Sequence, residues 1–122
     1  MSGSVRILVI DDDESIRDFT HTALADAGYD VVEAADGAAA LDLLGTSRPD
    51  VILLDMLMPL MDGWEFARRY HQTPGPHAPI IVVTAARDAG ARAGQINAAS
   101  CLAKPFRLDA LFACIAEVAG SR

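Results

Sequence analysis

Short apolar runs that end in a carboxylate are the strongest constraint on the fold of this chain. The clearest is residues 51–54, four apolar residues in a row that are followed at once by Asp55. Such a run predicts a strand that is buried on both faces, as the inner strands of parallel sheets are. Pro59, Asp62 and Gly63 then predict a turn. Asp55 is therefore expected at the carboxyl end of a core strand, where open α/β sheets bind ligands, although an isolated Asp more often only caps a loop.

Strand and helix patterns alternate along the rest of the chain. Strands are predicted at residues 5–10, 29–33, 51–54, 80–83 and 100–103, and the first of them is rich in β-branched residues. Apolar residues at helical spacing predict helices at about residues 16–27, 38–44, 64–72, 87–96 and 108–118. The apolar face of the first helix is predicted to consist of Ile16, Phe19, Ala23, Leu24 and Ala27. Five strands that alternate with five helices predict an α/β fold, a doubly wound five-stranded parallel sheet with right-handed crossovers.

Length and charge narrow the class of protein. The 122 residues suffice for one domain, predicted to occupy residues 1–122 with a core at about residues 5–119. The formal net charge of −7 argues against direct binding of DNA or RNA, which needs a basic surface. No apolar run approaches the length of a membrane span, and the first residues lack the apolar core of a signal peptide. A cytoplasmic location without membrane contact is the expectation.

Cysteine, histidine and tryptophan residues form no recognisable site in the sequence. Cys101 and Cys114 lie in predicted strand and helix interiors, so two reduced, packed thiols are expected rather than a disulfide or a metal pair. Trp64, just after the predicted turn, is expected to be a partly exposed packing residue. The histidines have no metal-ligand spacing and are expected at the surface or in loops: His21, His71 and His77.

Residues at four predicted strand ends suggest a site for phosphate chemistry. Because the carboxyl ends of parallel strands share one edge, these residues should project into one cleft: Asp11, Asp12, Asp55, Thr84 and Lys104. Neighbouring carboxylates repel one another unless a cation sits among them, and oxygen ligands alone favour Mg²⁺. The hydroxyl of Thr84 and the ammonium of Lys104, the only lysine, are donors suited to phosphoryl oxygens. Each of these residues alone has an ordinary structural explanation, but their joint placement at four strand ends favours a functional site.

The same segments resemble the receiver domains of two-component response regulators, the CheY-like proteins. The resemblance rests on four motifs in order: Ile7-Leu-Val-Ile-Asp11-Asp12-Asp13, Leu54-Asp55-Met-Leu-Met-Pro59-Leu-Met-Asp62-Gly63, Val82-Val-Thr84-Ala85 and Lys104-Pro105-Phe106. It covers nearly the whole chain. It implies a flavodoxin-like fold with strand order 2-1-3-4-5.

The resemblance also implies a reaction and a cofactor. Asp55 would accept a phosphoryl group from a phosphohistidine on a sensor histidine kinase or a histidine phosphotransfer protein. Mg²⁺ (or Mn²⁺) would be bound directly by Asp12, by Asp55 and by the main-chain carbonyl of Leu57, while Asp11 would act largely through a metal-bound water. The chain would accept and lose phosphate on its own side chain, without being a turnover enzyme.

Further expectations from the resemblance concern the transferred group and the output. Thr84 and Lys104 would contact the phosphoryl oxygens, and the Lys104-Pro105 peptide would be cis. Phosphorylation would switch the face formed by the fourth helix, the fifth strand and the fifth helix, which binds a target protein or an output domain. The sequence leaves open whether the chain dimerises through this face. It also leaves open whether the chain acts alone or is one domain of a longer protein.

Three departures from the family pattern bear on switching and lifetime. Cys101 stands where the family usually has a Tyr or Phe that moves together with Thr84, so the usual relay is in doubt. Residues 97–100, Asn-Ala-Ala-Ser, replace the common Gly-Ala-Asp-Asp. Gly90 and Gly94 each destabilise a helix by about 1 kcal/mol relative to Ala, which suggests a fourth helix that reorganises easily. The third departure is the pair Leu57 and Ala86. Both flank the site and cannot orient a water, which predicts a long-lived acyl phosphate.

Two other functions are weighed against the receiver reading. The pattern Asp11-x-Asp13 after an apolar strand also resembles phosphatases of the haloacid dehalogenase type, with Asp11 as nucleophile and Asp13 as acid/base. The chain is short for that fold with a substrate cap, and Asp55 would have no role. A pseudo-receiver that only binds partner proteins is the second alternative, which Cys101 leaves open.

Overall fold

The computed structural model describes residues 5–58, 60–85 and 94–120. The first elements are β1 (Arg6–Ile10), α1 (Glu14–Asp26), β2 (Asp30–Ala34), α2 (Gly37–Leu44), β3 (Val51–Asp55) and α3 (Gly63–Gln72). They are followed by β4 (Ile80–Ala85), a helical turn at residues 94–96 (α4), β5 (Ser100–Lys104) and α5 (Leu108–Gly120). Most of the predicted fourth helix lies outside the described residues, and so does the hypothesis about its stability.

The five strands form one parallel sheet in the order β2-β1-β3-β4-β5. The predicted doubly wound α/β fold and its strand order are therefore confirmed. β3 lies in the centre, between β1 and β4, and each of its five residues is buried. Its end is in register with both neighbours, because Leu54 pairs with Ile10 and Asp55 pairs with Val83. This register brings the carboxyl ends of three strands to one edge.

The strand side chains alternate between two apolar layers, as the period of two residues in a strand requires. Leu8 and Leu54 face the layer that α2, α3 and Ile96 of α4 cover. Ile7 and Leu53 face the opposite layer, which is covered by α1 and α5. Helices on both faces bury the central strands completely, so the polar residues at the strand ends are held by a rigid frame.

The buried face of α1 differs from the predicted one. Thr20 and Leu24 are its buried residues, an i, i+4 row that packs on the sheet. Phe19 is 54% exposed and Ala27 is exposed, so these two parts of the predicted face were wrong. Phe19 instead lines the cleft at the carboxyl edge of the sheet, beside Phe106.

The turn between β3 and α3 depends on a glycine. A Cβ atom added at Gly63 would lie 2.4 Å from Sδ and 2.8 Å from Cα of Met56, closer than van der Waals contact allows. Asp62 caps α3, since its Oδ1 accepts from the main-chain N–H of Glu65 at 3.0 Å. The chain is therefore folded tightly against the residue that follows Asp55, which fixes the start of α3 next to the strand end.

The remaining expectations have mixed outcomes. Cys101 in β5 and Cys114 in α5 are free and partly buried, as predicted. Trp64 is partly buried against the core, and its Nε1 donates to Oε1 of Gln95 at 2.6 Å. His71 and His77 are exposed, whereas His21 is partly buried and its Nδ1 is hydrogen-bonded to Glu33 of β2. Among the described helices, none is long and apolar enough to cross a bilayer.

Candidate functional site

Three carboxylates gather at the carboxyl edge of the sheet. Asp11 and Asp12 follow β1, Asp55 ends β3, and each offers an oxygen atom within 4.8 Å of the others. Asp11 and Asp55 are each only 5% exposed, whereas Asp12 is exposed. This cluster places the three predicted metal ligands together.

Local hydrogen bonds orient the two buried carboxylates. Oδ1 of Asp11 accepts from the main-chain N–H of Asp13 at 2.9 Å, and Oδ1 of Asp55 accepts from the N–H of Leu57 at 3.2 Å. Their Oδ2 atoms face Lys104, whose Nζ lies 3.4 Å from Asp11 and 3.5 Å from Asp55. The Lys104-Pro105 peptide bond is cis, as predicted. The ammonium therefore lies beside both buried carboxylates at the end of β5.

Thr84 completes the set from β4. Thr84 is 2% exposed. Among the described residues, its buried Oγ1 has no hydrogen-bond partner. A buried hydroxyl in this state costs about 1–3 kcal/mol relative to a satisfied one. Since Thr84 lines the same cleft as Asp55 and Lys104, a ligand oxygen that enters the cleft can accept the missing hydrogen bond.

The cleft has a polar floor and an apolar rim. Its volume is about 620 Å³. The polar part of the lining consists of four carboxylates, those of Asp11, Asp12, Asp13 and Asp55, together with Thr84 and Lys104. The rim is formed by Ile16, Phe19, Leu57, Ala85, Pro105 and Phe106. Such a site holds a small anionic group at the bottom and leaves room for the larger molecule that delivers it.

Burial raises the pKa of Asp55 from 3.8 to about 6. Desolvation is the largest cause, and it is opposed by the nearby ammonium of Lys104; the charge of Asp11 raises the pKa further. The carboxylate is thus ionised at neutral pH at a cost in free energy. A divalent cation among the three carboxylates would remove that cost, and the all-oxygen donor set is the one that Mg²⁺ prefers. The residues present therefore fit a magnesium site.

Two sequence predictions about the site remain untested, and one residue was missed. Cys101 pairs with Val82 across the sheet and packs against the α3 side of the core, outside the cleft lining, so its part in switching stays a prediction. Ala86 lies outside the described residues. The sequence reasoning missed Arg17, whose Nη1 donates to the main-chain oxygen of Asp11 at 2.9 Å. Its position in the helix after the acidic loop was the available signal.

Comparisons with known proteins identify the family of the chain. Residues 7–116 match the family described as the response regulator receiver domain. The response regulator MprA of Mycobacterium bovis (strain BCG / Pasteur 1173P2) is 42% identical over 112 residues, which are 90% of this chain and 48% of that protein. The chain thus spans about half the length of the curated relatives it matches.

Solved structures of response regulators are also similar to this chain. The chemotaxis response regulator CheY4 of Vibrio cholerae is 34% identical, with a TM-score of 0.85 over 94% of this chain and 98% of that one. The signal receiver domain of a response regulator from Bermanella marisrubri is 32% identical, with a TM-score of 0.83 and the same coverage, 94% and 98%. The chain therefore belongs to the receiver domain family of two-component response regulators.

Proposed function

We propose that the chain stores a signal as an acyl phosphate on Asp55, which it receives from a phosphohistidine. One observation carries this proposal. The buried Asp55 carboxylate lies 3.5 Å from Lys104, in the cleft where the buried hydroxyl of Thr84 has no hydrogen-bond partner within the described part of the chain. A nucleophile and two donors for phosphoryl oxygens thus share one site. The donor would be a sensor histidine kinase or a histidine phosphotransfer protein.

The transfer uses an oxygen of Asp55 as the nucleophile. This oxygen attacks phosphorus, a new P–O bond forms, and the P–N bond to the imidazole of the donor breaks. The electron pair of the broken bond stays on the imidazole nitrogen, which then takes a proton from water. Lys104 and the hydroxyl of Thr84 donate hydrogen bonds to the remaining phosphoryl oxygens, where negative charge is spread in the transition state.

The cation site would be held by Asp11, Asp12 and Asp55, with the carbonyl of Leu57 as the further ligand that the family resemblance implies. Magnesium in this place would supply charge neutralisation at the phosphoryl oxygens. Asp11 is buried and its carboxylate accepts from the N–H of Asp13, which holds it in place, whereas Asp12 is exposed.

The partner proteins are proposed from the surroundings of the site. A phosphohistidine must enter the cleft while its own protein covers the rim, where Phe19 and Leu57 are 54% and 57% exposed. Exposed apolar side chains around a polar centre are typical of protein contact sites. Several further expectations stay predictions. They are the output to a target protein or output domain through α4, β5 and α5, the single domain over residues 1–122, and the cytoplasmic location.

Phosphorylation by a small donor tests the proposed function. With Mg²⁺ and acetyl phosphate, the wild-type protein should gain one phosphoryl group by intact mass, and Asp55→Asn should gain none. Asp36→Asn is the matched control, because Asp36 caps α2 through Oδ1 and Asn also caps helices. No adduct in the wild type would favour a pseudo-receiver. Turnover of a phosphomonoester that Asp11→Asn abolishes and Asp55→Asn does not would favour the phosphatase.

Leu57 should make the acyl phosphate long-lived. Its side chain lines the cleft two residues after Asp55 and has no polar atom with which to hold an attacking water. We expect Leu57→Asn to shorten the half-life of the phosphorylated protein about 10-fold, since general catalysis of this kind contributes at least that much. The half-life is measured by loss of the adduct mass after acetyl phosphate is removed. A wild-type half-life of seconds would contradict this prediction.

A further inference from the structure

Arg17, near the start of α1, connects the acidic loop to the sheet. Its side chain is 15% exposed. Nη1 donates to the main-chain oxygen of Asp11 at 2.9 Å, and Nε donates to Oε1 of Glu33 at 3.0 Å. Glu33 lies on β2, and its other carboxylate oxygen is paired with Nδ1 of His21. One guanidinium therefore joins α1, the end of β1 and β2.

The carbonyl that Arg17 holds belongs to the peptide group between Asp11 and Asp12. On the other side of Asp11, its N–H donates to the carbonyl of Ala34 at 3.2 Å. With both sides of Asp11 held, the plane of the next peptide is fixed, and so is the direction in which Asp12 leaves the backbone. Asp12 is exposed, so packing does little to place its carboxylate. The contact from Arg17 is therefore the feature that aims it.

The charge of Arg17 would by itself oppose this role. A guanidinium beside the acidic loop repels a divalent cation that binds among the carboxylates. Glu33 is bonded to the same guanidinium and supplies a compensating negative charge. Arg17 can thus hold the loop through hydrogen bonds while adding little net positive charge to the site.

We propose that Arg17, oriented by Glu33, is a positioning residue for the divalent cation site and aims Asp12 toward Asp11 and Asp55. This inference rests on the proposed function, because it takes the three carboxylates as the magnesium ligands. Partners of metal ligands are known to change metal affinity by about 10- to 100-fold when they are replaced. The planar fork of arginine serves two acceptors at once, whereas lysine offers a point charge.

Positioning and charge predict opposite results for the removal of Arg17. If the guanidinium mattered only through its charge, Arg17→Met would remove a repelling cation and Mg²⁺ would bind more tightly. If it positions the loop, Arg17→Met frees the Asp11 carbonyl and Mg²⁺ binds more weakly. Arg17→Lys keeps the charge and loses the fork, so it separates the two effects again.

Titration of the unphosphorylated full chain with MgCl₂ by calorimetry tests the proposal. We expect the affinity for Mg²⁺ to fall about 10-fold in Arg17→Met and in Arg17→Lys. The matched control is Arg6→Met, because Arg6 pairs with Asp30 at 2.7 Å and joins the same two strands at the opposite edge of the sheet. Its affinity should equal that of the wild type, which shows that loss of an ion pair between β1 and β2 is not enough.

The outcomes that would overturn the proposal are separate from those that concern phosphorylation. Unchanged or tighter Mg²⁺ binding in folded Arg17→Met, with normal binding in the wild type, would overturn it and leave the proposed function intact. If Arg17→Met does not fold by circular dichroism, Glu33→Gln replaces it. That variant keeps the size of the side chain and should also weaken binding, and unchanged affinity would overturn the proposal. A wild type that neither binds Mg²⁺ nor becomes phosphorylated would contradict the proposed function itself.

Discussion

Replacement of Lys104 by Met should reduce the rate of phosphorylation by acetyl phosphate about 100-fold, because one preorganised donor to a developing charge is worth at least this much. Nζ lies beside the oxygens of both Asp11 and Asp55, and it lowers the pKa of Asp55 against the effect of burial. The variant loses both contributions: the contact to the phosphoryl group, and part of the ionised form of the nucleophile at neutral pH. The rate is measured from the adduct mass over time, with saturating Mg²⁺.

Two further variants make this result specific. Arg107→Ala removes a cation three residues away whose side chain is 85% exposed and pairs with Asp109 at 3.2 Å, so the rate should stay at the wild-type value. Lys104→Arg keeps the charge, but its larger planar group cannot take the same place beside two carboxylates, and we expect it to be nearly as slow as Lys104→Met. A wild-type rate in Lys104→Met would exclude Lys104 from the transfer step.

The sheet and the convergence of its strand ends could be predicted because few interactions decide them. Apolar runs such as residues 51–54 can only be buried, and parallel strands bring their carboxyl ends to one edge. Several strand limits differ by one or two residues from the prediction, because some main-chain contacts do not follow the pattern of residue types. β2 extends to Ala34 because the carbonyl of this residue accepts from the N–H of Asp11. Asp55, Thr84 and Lys104 could thus be placed without coordinates.

The rotation of α1 could not be predicted, because it depends on packing. Ile16, Phe19 and Ala23 form an apolar stripe at helical spacing, yet the structure buries Thr20 and Leu24. A polar residue in the buried row hides the true face from a pattern of apolar positions. The consequence reaches the site, since the actual rotation leaves Phe19 on the rim of the cleft.

Two polar features could not be predicted from the sequence, for a different reason. Arg17 looks like any surface cation in the sequence, and only its distances to the Asp11 carbonyl and Glu33 assign it a role. The sequence likewise does not reveal that the Thr84 hydroxyl is buried without a partner among residues 5–58, 60–85 and 94–120, because a Thr at a strand end is also explained by its β propensity. A pattern of residue types predicts which groups meet, whereas hydrogen-bond satisfaction depends on their geometry.

Asp55→Asn should stabilise the protein in the absence of metal ions, increasingly so as the pH rises from about 4 to about 7. The folded-state pKa of Asp55 is about 6 and its ordinary value is 3.8, so the folded state holds the proton more tightly than the unfolded chain does. At about pH 4 the unfolded chain is only partly ionised, so the penalty is small, and it vanishes below about pH 3. As the pH rises toward 6, the unfolded chain loses its proton first and stability falls. Above about pH 7 the penalty is complete, at about 2–3 kcal/mol for a shift of this size.

Urea unfolding in EDTA at about pH 7.5 and about pH 4 measures this difference. Asn keeps an oxygen that can accept from the N–H of Leu57 and carries no charge, so it should gain about 2 kcal/mol at the higher pH and much less at the lower one. Asp109→Asn, at an exposed position on α5, should show no such gain. Added Mg²⁺ should stabilise the wild type and not Asp55→Asn, because the ion offsets the repulsion that the substitution has already removed. Equal stability of wild type and Asp55→Asn at both pH values would mean that the buried carboxylate carries no penalty, and the argument for a cation among the three carboxylates would lose its electrostatic basis.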